Sequence, residues 1–246
     1  TQHNEAGRGA EFSELTLYNN RLLTFDDRTG EVMEIINNEA GTESMAVPRF
    51  IITEGDGETP KGMKWEWATV KNNELYMGSK GKEYTAPDGA VLNENNMWIG
   101  ILNARGELRR ENWKKMYSFV RHALGATSPG YIIVEAVLWS DHLKSWVFLP
   151  RRISTTAQYD ENQDEHMGGT KLVLVDEKFT KSTVVDIEME VDGLRGFSTF
   201  AFVPNTKDRH ALAIRSVEDK CTGDLTICKQ RSYFLVFDVL TGEVLS

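Results

Sequence analysis

Three glutamates and a serine stand at matching places in this chain, and oxygen chemistry is what they could do together. Glu14, Glu66, Glu135 and Ser198 each open a segment that reads as strand, polar turn, strand. A strand-initial glutamate is ordinarily just a polar strand end. A repeated hairpin that carries an oxygen at the same place is different, because a radial β-architecture would aim those oxygens at one axis. Carboxylates brought that close repel one another unless a cation or protons neutralise them. Calcium suits such a set, since it takes six to eight mixed oxygen ligands in a tolerant geometry.

Charged residues of a second kind follow the hairpins. Asp26-Asp27-Arg28-Thr29-Gly30 reads first as a turn in which an Asp side chain bonds the backbone. One of its two aspartates could instead orient a water, and the roles can coexist on distinct residues. Gly78-Ser-Lys-Gly-Lys82-Glu83 follows the second hairpin but lacks the spacing of a phosphate loop. Pro150-Arg151-Arg152 occupies the corresponding place after the third. A guanidinium donates two hydrogen bonds in register to a phosphate, so Lys82 and Arg151 beside a calcium would make an anion seat. Arg152, next along a strand, would point the other way, so that its replacement by Lys would be nearly silent. The five histidines form no His-Glu-x-x-His pair, Glu54-Gly-Asp-Gly-Glu lacks EF-hand spacing, and Phe197-Ser-Thr-Phe is no nucleophile elbow, so zinc and serine-hydrolase chemistry find no basis.

The elements that must position these groups are strands. Leu15-Thr-Leu, Leu22-Leu-Thr-Phe and Val32-Met-Glu-Ile alternate around Asn19-Asn20 and Asp-Arg-Thr-Gly turns, and Leu240-Thr-Gly-Glu-Val repeats the second turn device. Further strands are expected at Phe50, Ala68, Leu75, Trp98, Tyr131, Trp146, Lys171, Val184 and Ala211. A helix is expected over 111–124, with Trp113, Met116, Phe119, Val120 and Leu124 on one face and Gly125 as its stop. Gln158–Gly169 reads as a solvated loop. Cys221 and Cys228 bracket a Thr-Gly-Asp turn and could staple a hairpin tip or stand as free thiols. With 40% hydrophobic and 26% charged residues the composition is that of an ordinary globular protein. The net charge of −9 argues against a nucleic-acid partner, and no apolar run reaches membrane-span length.

Across most of its length the chain resembles the calcium-activated nucleotidases, the apyrase family that includes the bed-bug type salivary enzymes. The residues that carry the resemblance run in order from Gly7-Arg-Gly-Ala-Glu-Phe-Ser-Glu-Leu through Lys61-Gly-Met-Lys-Trp-Glu-Trp, Glu111-Asn-Trp, Trp139-Ser-Asp and Phe148-Leu-Pro-Arg-Arg to Gly196-Phe-Ser-Thr-Phe-Ala-Phe-Val-Pro-Asn. The resemblance implies an all-β, five-bladed β-propeller with central calcium, hydrolysing nucleoside di- and triphosphates. Residues 1–246 would form a single domain, lacking part of the first blade and the closing strand as an internal fragment of a longer secreted protein. Position by position it implies Ser13 (by its carbonyl), Glu14, Glu66, Glu135 and Ser198 as calcium ligands, Asp27 as the catalytic acidic residue, and Lys82 and Arg151 as phosphate contacts. A homodimer stays open. The rival is a catalytically silent, calcium-stabilised propeller that binds nucleotides or a protein partner.

Overall fold

A computed structural model describes residues 9–218 and 230–246. The Cys221 and Cys228 pairing lies outside the described residues. Four antiparallel sheets account for most of the chain, each laid down by strands consecutive or nearly so in sequence. In the first, β1 (Phe12–Tyr18), β2 (Arg21–Asp26), β3 (Glu31–Asn37) and β4 (Ser44–Ile51) lie side by side in chain order. Asn19 and Asn20 make the β1–β2 turn at φ of 47° and 61°. Two successive positive φ values match the twist of the flanking strands, and asparagine tolerates them better than most residues.

The second sheet runs β10-β9-β6-β5 and is built from β5 (Trp67–Lys71), β6 (Glu74–Gly78), β9 (Trp98–Leu102) and β10 (Leu108–Asn112). Asn72 and Asn73 repeat the Asn-Asn turn at φ of 51° and 61°. Between β6 and β9 the chain steps out to form the short pair β7 (Tyr84–Thr85) and β8 (Val91–Asn93). The third sheet holds β11 (Tyr131–Ser140), β12 (Ser145–Ser154), β13 (Lys171–Asp176) and β14 (Ser182–Asp186). The fourth holds β15 (Gly196–Phe202), β16 (His210–Glu218) and β17 (Gln230–Asp238), with Val244 bridged to Phe237 on its outer side.

These are blade-like meanders, and the described residues supply four of them rather than the five that the resemblance implies. Three sheets take four strands each, the last takes three, and only the short β7–β8 pair is left over. The described residues therefore contain no strands for a fifth.

Two compact units emerge, one holding the first two sheets and one the last two. In the first, Phe25, Val32, Trp65, Leu75 and Met77 are fully buried in one apolar core. In the second, Leu149, Leu172, Phe197, Ala211 and Phe237 do the same. Helix α1 (Lys114–Ala123) begins where Asn112 caps the Lys114 amide through Oδ1 at 2.9 Å and stops at Gly125, whose φ is +70°. Trp113, Val120 and Leu124 are buried as the periodicity predicts, while Met116 and Phe119 are only half-buried. Tyr117, absent from the expected face, is fully buried, 6.0 Å from the Trp113 ring.

The turn device anticipated twice in the sequence is found twice. Asp26 Oδ1 accepts the amides of Arg28 and Thr29. Asp238 Oδ1 accepts the amides of Leu240 and Thr241 in the same register. Gly30 and Gly242 close the two turns at φ of 75° and 82°.

Candidate functional site

The first strand of every sheet is also an edge strand: β1, β5, β11 and β15 each end their sheet's order. The oxygen-bearing residues singled out by the sequence all sit on these strands or one residue before them. Glu14, Glu66, Glu135 and Ser198 lie four or five residues before the strands' last residues, Tyr18, Lys71, Ser140 and Phe202. Three of the four also coincide with breaks in pairing register. The β1–β2 ladder slips between Phe12 and Leu15, enclosing Ser13 and Glu14. The β11–β12 ladder slips around Glu135, and the β15–β16 ladder slips at Ser198. A bulge leaves its extra residue unpaired in the ladder and re-aims the side chain, which is why bulges gather beside functional sites.

In the first unit, Glu66 is buried at 5% exposure, with its amide donating to the Gly78 carbonyl at 2.9 Å. Lys64 Nζ stands 3.3 Å from Glu66 Oε1 and only 2.5 Å from Asp27 Oδ2, so one ammonium joins two acidic residues that are far apart in sequence. Burial would lower the Lys64 pKa, but the negative charges of Glu66 and Asp27 outweigh it and hold the group above its usual value. Lys80 Nζ adds a second cation 3.9 Å from Glu66. Lys82 is buried and donates to the Glu83 carbonyl at 3.0 Å. Asp26 and Asp27 divide their work as the sequence allows: Asp26 is spent on its turn, whereas Asp27 pairs with Lys64. The other Asp27 oxygen, Oδ1, is 3.5 Å from Arg28 Nε and has no hydrogen-bond partner among the described residues. Glu14 Oε1 accepts the Leu15 amide at 2.8 Å, and its carbonyl accepts the Thr24 hydroxyl at 2.9 Å.

In the second unit, Arg151 Nη1 donates to Glu135 Oε2 at 2.6 Å, and both side chains are largely buried. Ser198 Oγ donates to the Ile214 carbonyl at 3.3 Å. Arg152, expected to face the opposite side from Arg151, is also buried, at 3% exposure. The register slips between Ile133 and Val134, whose partners are Arg152 and Pro150, and this makes Arg151 the extra residue of a bulge. Almost the whole of this strand is buried, and both arginines with it.

Lys64 is the residue that the sequence reading missed. It sits in the Lys61-Gly-Met-Lys-Trp-Glu-Trp run, but its link to Asp27 spans 37 positions, and no local spacing announces it.

The Apyrase family model matches residues 1–246. The chain belongs to the apyrase family. It is 39% identical over 245 residues to an apyrase of Cimex lectularius and covers 63% of that protein. With apyrase apy-1 of Caenorhabditis elegans it shares 42% identity over 239 residues, 64% of that protein. With soluble calcium-activated nucleotidase 1 of Rattus norvegicus it shares 42% over 215 residues, 51% of that protein. The chain thus spans between half and two thirds of the length of these relatives. Among the described residues no helix is long and apolar enough to cross a membrane.

The donor set of carboxylates, serine oxygens and carbonyls is chemically suited to a hard cation such as calcium. Among the described residues, however, no three His, Cys, Asp or Glu side chains form a group that could hold a metal ion. Glu66 and Glu135 are instead each matched to a basic side chain.

Proposed function

We propose that this protein hydrolyses nucleoside di- and triphosphates, releasing phosphate in a calcium-dependent reaction. Membership of the apyrase family carries the reading, and the pairing of buried carboxylates with basic groups supports it. A phosphate arriving at Arg151 gives that guanidinium a new anion, which frees Glu135 to serve as a ligand. Lys64 and Lys80 can make the same exchange at Glu66. In this reading Ser13, Glu14, Glu66, Glu135 and Ser198 hold the ion, and the four sheets are blades of the family's five-bladed propeller. Calcium, when bound, supplies positive charge beside the phosphate oxygens.

The chain's own residues do the rest. Arg151, with its two-pronged fork, and Lys82 orient the terminal phosphoryl group and offset its developing charge. Asp27, steadied by Lys64 at Oδ2, accepts at Oδ1 a proton from the attacking water. The new P–O bond forms in line with the bridging P–O bond that breaks, so no covalent nucleophile is required. Secretion and a homodimer belong to the same reading as expectations.

The test is phosphate release from ADP, UDP and ATP in calcium, in magnesium, and with calcium chelated. Release in calcium that stops on chelation is the expected result. Nucleotide binding without release would favour the silent propeller, and full release in magnesium alone would remove the calcium dependence.

A further inference from the structure

A cavity in the second unit is lined by none of the residues assigned above. Its volume is about 580 Å³, and it is lined by the loop from Met189 to Arg195 together with His166 and Arg215. Arg215, on β16 opposite Phe197, is only 2% exposed. Its partners are main-chain carbonyls: Nη2 donates to Arg195 O at 2.7 Å and approaches Asp192 O at 3.5 Å. The guanidinium lies 5.2 Å from the centre of the Phe197 ring, and Nε is buried without a hydrogen-bond partner among the described residues. No carboxylate described here forms an ion pair with it. A cation so placed has lost its hydration, and the negative charge that acts on it, Asp192, is already paired with Arg195.

Arg195 adds a second guanidinium to the same cavity. Its Nε meets Asp192 Oδ2 at 3.0 Å, and the group lies 4.1 Å over the Tyr233 ring. Burial pushes the Arg215 pKa down and the like charge of Arg195 pushes it further, outweighing the opposing pull of Asp192. Two acidic residues also line the space. Asp192 is spent on Arg195 and the Leu194 amide, and Glu190 is exposed. Apolar surface comes from Met189, Val191 and Leu194, of which Val191 is 72% exposed.

We propose that this cavity binds a phosphomonoester, with its dianionic phosphate on Arg215 and Arg195 and its less polar part against Met189, Val191 and Leu194. Two guanidiniums match a dianion in charge, and their planar forks match its oxygens in geometry. The volume falls in the range of small-ligand sites. The site stands independently of the hydrolytic reading, since it uses none of the same side chains.

Isothermal titration calorimetry on the whole chain, with calcium chelated, tests the site using AMP, inorganic phosphate and adenosine. AMP should bind one to one, phosphate more weakly, and adenosine not detectably. Arg215→Met should weaken AMP binding tenfold or more, as expected for loss of a charged hydrogen-bonding partner. It should leave the ligand-free melting temperature unchanged or raised, because an apolar chain replaces a buried charge that has no ion pair of its own. If that variant fails to fold, the half-exposed Arg195→Met carries the same test. Glu66→Gln, in the other unit, should bind AMP like the parent, which separates this site from the proposed hydrolytic one. Absence of AMP and phosphate binding, or unchanged affinity in the folded arginine variants, would overturn the assignment. Equal binding of adenosine and AMP would do the same.

Discussion

Replacing Arg151 by Met tests whether Glu135 serves two partners. The bond between Arg151 Nη1 and Glu135 Oε2 is 2.6 Å long, with the side chains 10% and 13% exposed. At 4 Å and an effective dielectric constant of about 20, two unit charges attract by about 4 kcal/mol, but desolvation of both groups offsets much of that. Hydrogen bonds to charged groups retain a net value of about 1.5–3 kcal/mol. Arg151→Met should therefore cost about 2–3 kcal/mol in calcium-free buffer. A double-mutant cycle with Glu135→Gln should show about 1–2 kcal/mol of coupling, within the range found for residues in contact. Urea unfolding followed by tryptophan fluorescence provides the measurement, since Trp139 and Trp146 lie on the two strands that carry the pair. Saturating calcium should reduce the coupling below about 0.5 kcal/mol, near the limit of additivity, because the carboxylate then has another partner. Coupling that persists unchanged in calcium would refute Glu135 as a ligand. Coupling near zero without calcium would show that the ion pair contributes nothing.

Two further outcomes follow from the turns. Gly30→Ala should destabilise by about 2–5 kcal/mol, since it combines a left-handed backbone penalty with overpacking: the new Cβ would lie 2.2 Å from the Ile52 carbonyl oxygen. Gly41→Ala, also left-handed but with nothing within 4 Å, should cost only about 1–2 kcal/mol, and thermal melts of the pair would check the contrast. Asp238 should make stability depend on acid. Burial raises its pKa, but the Arg209 bond and the amides of Leu240 and Thr241 outweigh burial and leave the carboxyl below its usual value. A depressed carboxylate contributes stability above the unfolded value near 3.8 and loses it as pH falls through the lower folded value. Asp238→Asn should melt lower at pH 7 and show a flatter profile between about pH 4 and 2; identical profiles would dismiss the carboxylate's role.

The strands and turns were legible because their signals are local. Alternation around Leu15-Thr-Leu marks β1, and the repeated Asp-x-x-Thr-Gly pattern marks two turns whose hydrogen bonds match residue for residue. The strand β10 was not legible. Leu108-Arg-Arg-Glu-Asn is polar and mostly exposed on the outer side of its sheet, so no buried face imposes a period of two, and Glu111-Asn112 reads instead as a helix start. Tyr117 escaped the helix pattern because its hydroxyl suggests a wet position, yet its ring is sealed beside Trp113. The site was legible in part. Glu14, Glu66, Glu135 and Ser198 stand at matching places on edge strands or one residue before them, as the spacing suggested. The Lys64–Asp27 link and the burial of Arg152 depend on long-range packing, and neither has a mark in the sequence nearby.

The register slips beside Ser13, Glu135, Arg151 and Ser198 have a consequence for how this chain can change over time. The aim of each side chain there is encoded by the number of residues in the strand as much as by their identity. A substitution alters one group and leaves the ladder as it was. Loss of the single surplus residue would restore an even ladder and reverse the facing of residues on one side of the slip, carrying core side chains out and surface ones in. Deletions tolerated in the loop between Ser154 and Lys171 should thus be eliminated at these four points. The lengths of β1, β11, β12 and β15 should drift less between related chains than the residues within them.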